Sequence, residues 1–320
     1  MDFEILLANL TNPTLLYFVL GIVAAAVKSD LEIPSNTAKF ISLYLLFSIG
    51  FKGGQELSHS TFDQEILLSL LFGLFISAAI PLYTFFILKS KMNPSDAGAV
   101  AAAYGSVSAV TFVAAVGFLE SQGLTFGGHM VAVMALMESP AIIMGVILLM
   151  RYEPDAPQKG GIGNIIRHSL TNGSVIMILG SLVIGLIADS RQAEGIKPFT
   201  TDIFKGFLAI FLLEMGMVTA RRFKAFRKYG WFAFLFAIIV PLINGCLVAW
   251  ATGLFSDSEG NRFIFAILAA SASYIAVPAA MRLAAPRADP GLYIPMAIGV
   301  TFPFNITIGM PVYFLIVHLT

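Results

Sequence analysis

Charge is what this chain has least of. Only 12% of its 320 residues are Asp, Glu, Lys or Arg, about half the roughly 25% of a soluble domain. Basic and acidic residues balance at 19 each, so no global field favours nucleic acid. Cysteine is nearly absent: Cys246 stands alone, which excludes an intrachain disulfide and any cysteine-based metal cluster. No Gly-rich phosphate loop, nucleophile elbow or zinc motif occurs. His59, His129, His168 and His318 fall near predicted helix ends without metal-ligand spacing. The start, Met1-Asp2-Phe3-Glu4, has neither a basic n-region nor a small-residue cleavage site after it, so no cleaved signal peptide is expected.

Apolar residues fill the space instead. They make up 58% of the chain, 28 of them Phe, with a mean hydropathy of +0.85. Runs of about 20 apolar residues mark spanning helices, and the sequence predicts an all-α polytopic membrane protein with ten of them. They cover 13–27, 38–57, 65–88, 96–119, 128–150, 170–188, 199–220, 230–253, 262–284 and 292–317. Loops after the odd-numbered helices hold fourteen Lys and Arg, from Lys28 to Arg287, against four on the other side: Lys52, Arg191, Lys197 and Arg262. That bias puts the basic loops in the cytoplasm and both termini outside an inner (plasma) membrane.

Two of the predicted helices are interrupted. Ala101 to Val113 carries Gly105, Ser106, Ser108 and Thr111 at mid-depth, and Ala269 to Ala280 repeats the design with Ser271, Ser273 and Pro278. Ser106 matches Ser273, Ala109 matches Ala276, Val110 matches Val277, and the breaker changes from Gly105 to Pro278. Paired interruptions in corresponding positions of two half-chains point to a secondary transporter's binding site. An unwound segment leaves backbone groups that protein, water or ligand must meet. Each half-helix start carries about half a positive charge and free N–H groups. Two such starts with serine hydroxyls suit a small anion. The bland alternative is close helix packing through Gly, Ala and Ser.

Other matches run in the same order. Pro81 pairs with Pro241 at a spacing of 160, and Gly50 with Gly216 at 166. Five helices per repeat requires the second repeat to enter the membrane inverted, as the charge bias also requires. The expected fold is therefore two inverted five-helix repeats with broken, crossing helices, residues 1–150 and 170–320. A cytoplasmic linker, 151–169, joins them.

Glu138 and Glu214 sit deep in apolar runs, where a carboxylate is a functional hypothesis by default. Pro140 aligns with Pro303, suggesting a broken last helix in each repeat. Asn305 and the carbonyls freed near both prolines are oxygen ligands for a hard cation such as sodium, and Glu138 offers the formal charge. Protonated or snorkelling glutamates are the alternative. Asn244 beside Gly245 reads as a helix-packing amide. Arg221 to Lys228 reads as an anchor at an anionic leaflet.

Several stretches carry a family resemblance: Leu31-Glu32-Ile33-Pro34, Ile49 to Leu57 (IGFKGGQEL), Tyr104 to Phe112 (YGSVSAVTF), Met137-Glu138-Ser139-Pro140, and Ala269 to Arg282 (AASASYIAVPAAMR). On these, the chain resembles the SbtA-type sodium-dependent bicarbonate transporter family over nearly its full length. The resemblance implies core and gate domains, a homotrimer formed through the gate, and elevator-like movement. It implies bicarbonate held at Gly105, Ser106, Val107, Ser108, Ser271, Ala272, Ser273 and Tyr274. Sodium is expected nearby at Ala109, Thr111, Glu138, Thr301, Phe302 and Asn305, as the coupling ion and with no other cofactor. A cytoplasmic PII-like regulator is also implied, although the linker here is shorter than in some members.

Sodium-coupled bicarbonate import is the expected function, with membrane lipid around it. Moving a charge against the membrane potential costs about 2.3 kcal/mol per 100 mV, and one co-transported sodium cancels that term for a monovalent anion. Transport of another small anion, or sodium–proton exchange, would use the same plan. Neither break contains Asp or Glu, which counts against proton exchange. An intramembrane enzyme would need a nucleophile with a base, or a metal site, and neither is found. A non-transporting receptor would depend on the Arg221–Lys228 run rather than on the serines.

Overall fold

Helices begin where the sequence offers a cap. A computed structural model describes residues 11–59, 62–153, 163, 167, 171, 173–226 and 230–320. Most of the linker 151–169, with His168, Arg227 and Lys228, lies outside the described residues. The side chain of Asn12 accepts from Thr14 N–H to start α1 (Pro13–Ala26). After α2 (Ser35–His59), Asp63 accepts from Ile66 N–H to start α3 (Gln64–Lys89). Asn93 accepts from Asp96 N–H to start α4 (Pro94–Gly105), with Pro94 at the first helical position. There proline's missing donor costs nothing. Next come α5 (Ala109–Ser121), α6 (His129–Tyr152), α7 (Gly173–Ile187) and α8 (Ser190–Lys197). A π-helical turn, Pro198–Asp202, leads into α9 (Phe204–Phe226). The chain then forms α10 (Gly230–Ala251), α11 (Glu259–Ala270), α12 (Ala276–Ala284) and a last helical run, α13 (Pro290–Leu319). No strand occurs among the described residues.

Among the described residues, six runs are long and apolar enough to cross a membrane: α3, α4 with α5, α6, α8 with α9, Gly230–Leu254 and α13. Helices α1 and α7 are shorter apolar helices. The α4–α5 run differs from the others, because 94% of its apolar window is buried, against 39% for α3. Shielded from lipid, it can carry polar residues at low cost.

Glycines set how the remaining helices pair. A Cβ on Gly21 of α1 would overlap the Leu213 carbonyl of α9, and one on Gly216 would overlap the Phe18 carbonyl. Gly54 and Gly185 bring α2 and α7 together in the same way, the close approach that small residues permit between helices. Gln55 completes that contact by donating to the carbonyls of Gly185 and Ala188, the latter at 2.9 Å. These pairs form one group, α1 with α9 and α2 with α7. The second group packs α3 along α4 and α6, and α10 along α11 and α13. Asn244 of α10 accepts from the Tyr83 hydroxyl of α3 at 2.5 Å, so this amide bonds between helices.

Two matching clasps tie the broken helices to distant segments. Asp96, in the first turn of α4, accepts from Asp289 N–H just before α13 at 2.8 Å. Asn261, in the first turn of α11, accepts from Gly127 N–H just before α6 at 2.6 Å.

Three expectations need correction. Pro140 does not break α6, which runs continuously from His129 to Tyr152. Nor does Pro303 break α13; the helix widens there into π-helical turns at Met296–Thr301 and Asn305–Gly309. Pro278 is not the second breaker. It lies in the first turn of α12, where a proline is tolerated.

Candidate functional site

Two helices of equal length stop in the same way. Helices α4 and α11 each have 12 residues and end at a serine in extended conformation. Ser106 has φ −80° and ψ 168°; Ser271 has φ −86° and ψ 167°. Ser106 therefore corresponds structurally to Ser271, 165 positions on, while the starts of α5 and α12 correspond at 167. The second break is two residues longer. The matching of Ser106 with Ser273 holds only from the far side of the gap.

The breaks complete each other. Ser108 N–H donates to Ser271 Oγ at 3.0 Å, and that hydroxyl donates to Leu268 O at 2.9 Å. Ser273 N–H donates to Ala103 O at 2.8 Å. Backbone groups freed by one interruption are thus met by the other, as a low-dielectric interior demands. Gly105 ends α4 against Pro81, whose ring occupies the place of a Cβ.

Side chains of α13 buttress both ends. Thr301 Oγ1 donates to Ala237 O at 2.7 Å, which leaves the Tyr104 hydroxyl to donate to Thr301 at 2.7 Å. Asn305 Nδ2 donates to Ala270 O, the last carbonyl of α11, at 2.7 Å. The Asn305 carbonyl oxygen accepts from the Tyr313 hydroxyl at 3.1 Å. The π-helical turns place Thr301 and Asn305 for these contacts, a common use of such local widening.

Beside the breaks lies a small pocket, lined by Val107, Ser108 and Ala109 from the first break, and Ser273, Tyr274 and Ile275 from the second. Met134 and Glu138 of α6 and Ser174 and Val175 of α7 close it. Ser108 caps α5 by accepting from Thr111 N–H at 3.2 Å. Helix α12 has no side-chain cap, and the residue that precedes it, Ile275, lines the pocket. Glu138 is 8% exposed, and among the described residues no hydrogen bond or ion pair reaches its carboxylate. An anion-favouring helix start and an uncommitted carboxylate thus share one cavity.

The expected site residues divide accordingly. Val107, Ser108, Ser273, Tyr274, Ala109 and Glu138 line the cavity. Gly105 packs on Pro81, Ser106 is fully buried with an unpartnered hydroxyl, Ser271 bridges the breaks, and Ala272 is buried. Thr111, Thr301, Phe302 and Asn305 are buried and absent from the lining. Glu214 of α9 is also absent, although the Tyr274 hydroxyl reaches its neighbour Met215 at 3.6 Å. Sequence reasoning missed Met134, Ser174, Val175 and Ile275; α7 carries no motif that would have drawn attention to Ser174.

None of the curated proteins compared with the chain matches it. A family model, Na+-dependent bicarbonate transporter superfamily, matches residues 13–318. That match starts with the first residue of α1 and takes in both breaks and the cavity between them, and the chain belongs to the Na+-dependent bicarbonate transporter superfamily.

Proposed function

We propose that this chain is a sodium–bicarbonate symporter with its site in the cavity between the two breaks. One observation carries the reading: an uncapped helix start and the free Glu138 carboxylate face the same space. A bicarbonate ion beside an ionised Glu138 would meet like charge in a poorly screened setting. A sodium ion on Glu138 turns that repulsion into attraction, so the anion is held well only when the cation is present. Val107, Ser108, Ser273 and Tyr274 contact the anion; Ala109 and Glu138 contact sodium. Thr301 and Asn305 act as supports for the helix ends.

The proposed frame has ten membrane-crossing segments in two inverted halves, 1–150 and 170–320, with both termini outside the plasma membrane. Support comes from the reciprocal pairing of α1 with α9 and α2 with α7, and from the paired clasps at Asp96 and Asn261. The α3–α6 and α10–α13 group is the mobile core of an elevator, and the glycine-paired group is its scaffold. A homotrimer and a cytoplasmic PII-like regulator are carried over from the resemblance; native mass spectrometry of the purified protein tests both.

Sodium–proton exchange is the second reading, and the placement of Glu138 in the cavity favours it more than the composition of the breaks did. Proteoliposomes separate the two. Radiolabelled bicarbonate uptake that needs an inward sodium gradient supports symport. Sodium-driven pH change inside the vesicles without bicarbonate uptake supports exchange and overturns symport.

A further inference from the structure

The IGFKGGQEL stretch of α2 has two working faces. Gly50, Gly54 and Gln55 hold α7. The other face meets the opposite helix group: Lys52 Nζ lies 3.5 Å from a carboxylate oxygen of Glu120, the penultimate residue of α5. Lys205 of α9 approaches the second Glu120 oxygen at 3.8 Å. Among the described residues these are the two ion pairs that cross between the groups; the others join residues within one group.

The junction is built to open. Lys52 and Glu120 side chains are 30% and 29% exposed, so each pair changes a population by no more than roughly fivefold. A pocket adjoins it, lined by Lys52, Glu56 and Glu120 together with apolar side chains such as Ile49 and Leu119. A second, more open pocket shares Lys52 and Glu56 on the α8 side. Gln55, Ser190, Glu194 and Lys197 line that second pocket, so charges that separate here meet a polar setting. Lys52 also lies 5.1 Å from the Phe204 ring centre, a contact within the scaffold that it keeps after losing Glu120.

We infer that Glu120, held by Lys52 and Lys205, is a releasable latch at the end of α5, closed in this conformation and opened when the core moves. This inference rests on the moving core of the proposed function. Because α5 starts at the cavity, the latch acts through the helix that begins at Ala109.

Gly53 and Val131 supply the reporter. A Cβ built on Gly53 lies 3.4 Å from Val131 Cβ, close to the spacing at which a disulfide closes. In a Cys246→Ser chain, Gly53→Cys/Val131→Cys is oxidised, and both cross-linking rate and sodium-dependent uptake are measured. Uptake stops on oxidation and returns on reduction. Adding Glu120→Gln or Lys52→Gln slows cross-linking three- to fivefold, the two together slow it no more than Glu120→Gln alone, and the swap Lys52→Glu/Glu120→Lys, made with Lys205→Gln to remove the like charge beside position 120, restores it. Unchanged cross-linking in both single variants overturns the latch. Full uptake by the cross-linked protein instead overturns the core movement beneath it. In the otherwise native chain, the two neutral variants alter uptake in the same direction and the swap made with Lys205→Gln rescues it; additive, unrescued effects overturn the latch there as well.

Discussion

Ser108 and Ser271 are joined by a 3.0 Å hydrogen bond from backbone to hydroxyl across two helix interruptions 163 residues apart. The bond makes Ser271 structural in a way that Ser106 is not. Removing the Ser271 hydroxyl strands the buried Ser108 N–H, at a cost of about 1–3 kcal/mol. Ser106→Ala removes a buried hydroxyl that has no partner, and its stability stays within about 0.5 kcal/mol of wild type or rises. Thermal unfolding in detergent separates the two; equal losses would remove the distinction.

Glu138→Gln tests the coupling. The variant keeps the shape of the cavity and loses the charge that, in the proposed symport, makes the anion depend on sodium. Sodium-driven uptake falls at least tenfold, while bicarbonate binding, followed calorimetrically, ceases to depend on sodium. Binding that stays sodium-dependent in Glu138→Gln assigns the cation elsewhere.

Gly105 and Gly98 lie on one helix and should respond oppositely to alanine. At Gly105 the new methyl runs into the Pro81 ring, whereas at Gly98 the nearest atom lies 3.4 Å away, at ordinary contact. Gly105→Ala costs about 1–3 kcal/mol by overpacking. Gly98→Ala is neutral or gains up to about 1 kcal/mol of helix propensity. Unfolding midpoints of the two variants check the contrast.

The Glu153 carboxylate accepts from the Ser95 hydroxyl at 2.6 Å and pairs with Arg287 at 2.9 Å, and these contacts hold it below the ordinary carboxylate range, the Ser95 bond foremost. A carboxyl depressed in the folded state stabilises above its unfolded value, near 4.5, and loses that contribution as pH falls through the lower folded value. Wild type therefore loses stability from about pH 5 downward, and Glu153→Gln loses less over the same interval. Parallel acid-unfolding curves would contradict this role of the Glu153 contacts.

The breaks were legible because small, polar and proline residues stand out in an apolar run. Their register was less so: the second gap has two extra residues, and an ungapped comparison aligns α5 with α12 while misaligning α4 with α11. Pro140 looked like a breaker because sequence shows the lost donor but not the tolerance of a continuous helix. Thr301 and Asn305 have the oxygen chemistry of cation ligands, and residue type alone does not reveal that Ala237, Ala270, Tyr104 and Tyr313 already engage them. Lys52 and Glu120 are 68 positions apart with no pattern linking them. Their pairing exists only in the folded chain.

The mutual closure of the two breaks also bears on how the protein is made. Ala103 and Ser273, like Ser108 and Ser271, belong to opposite halves of the chain. During synthesis the first interruption enters the bilayer long before its partner exists, with its backbone polar groups unmet except by water or the insertion machinery. Contacts of such long sequence separation form late. The pocket between the breaks is therefore among the last parts of the molecule to assemble, and a chain that terminates before the second interruption is a membrane protein without the proposed site.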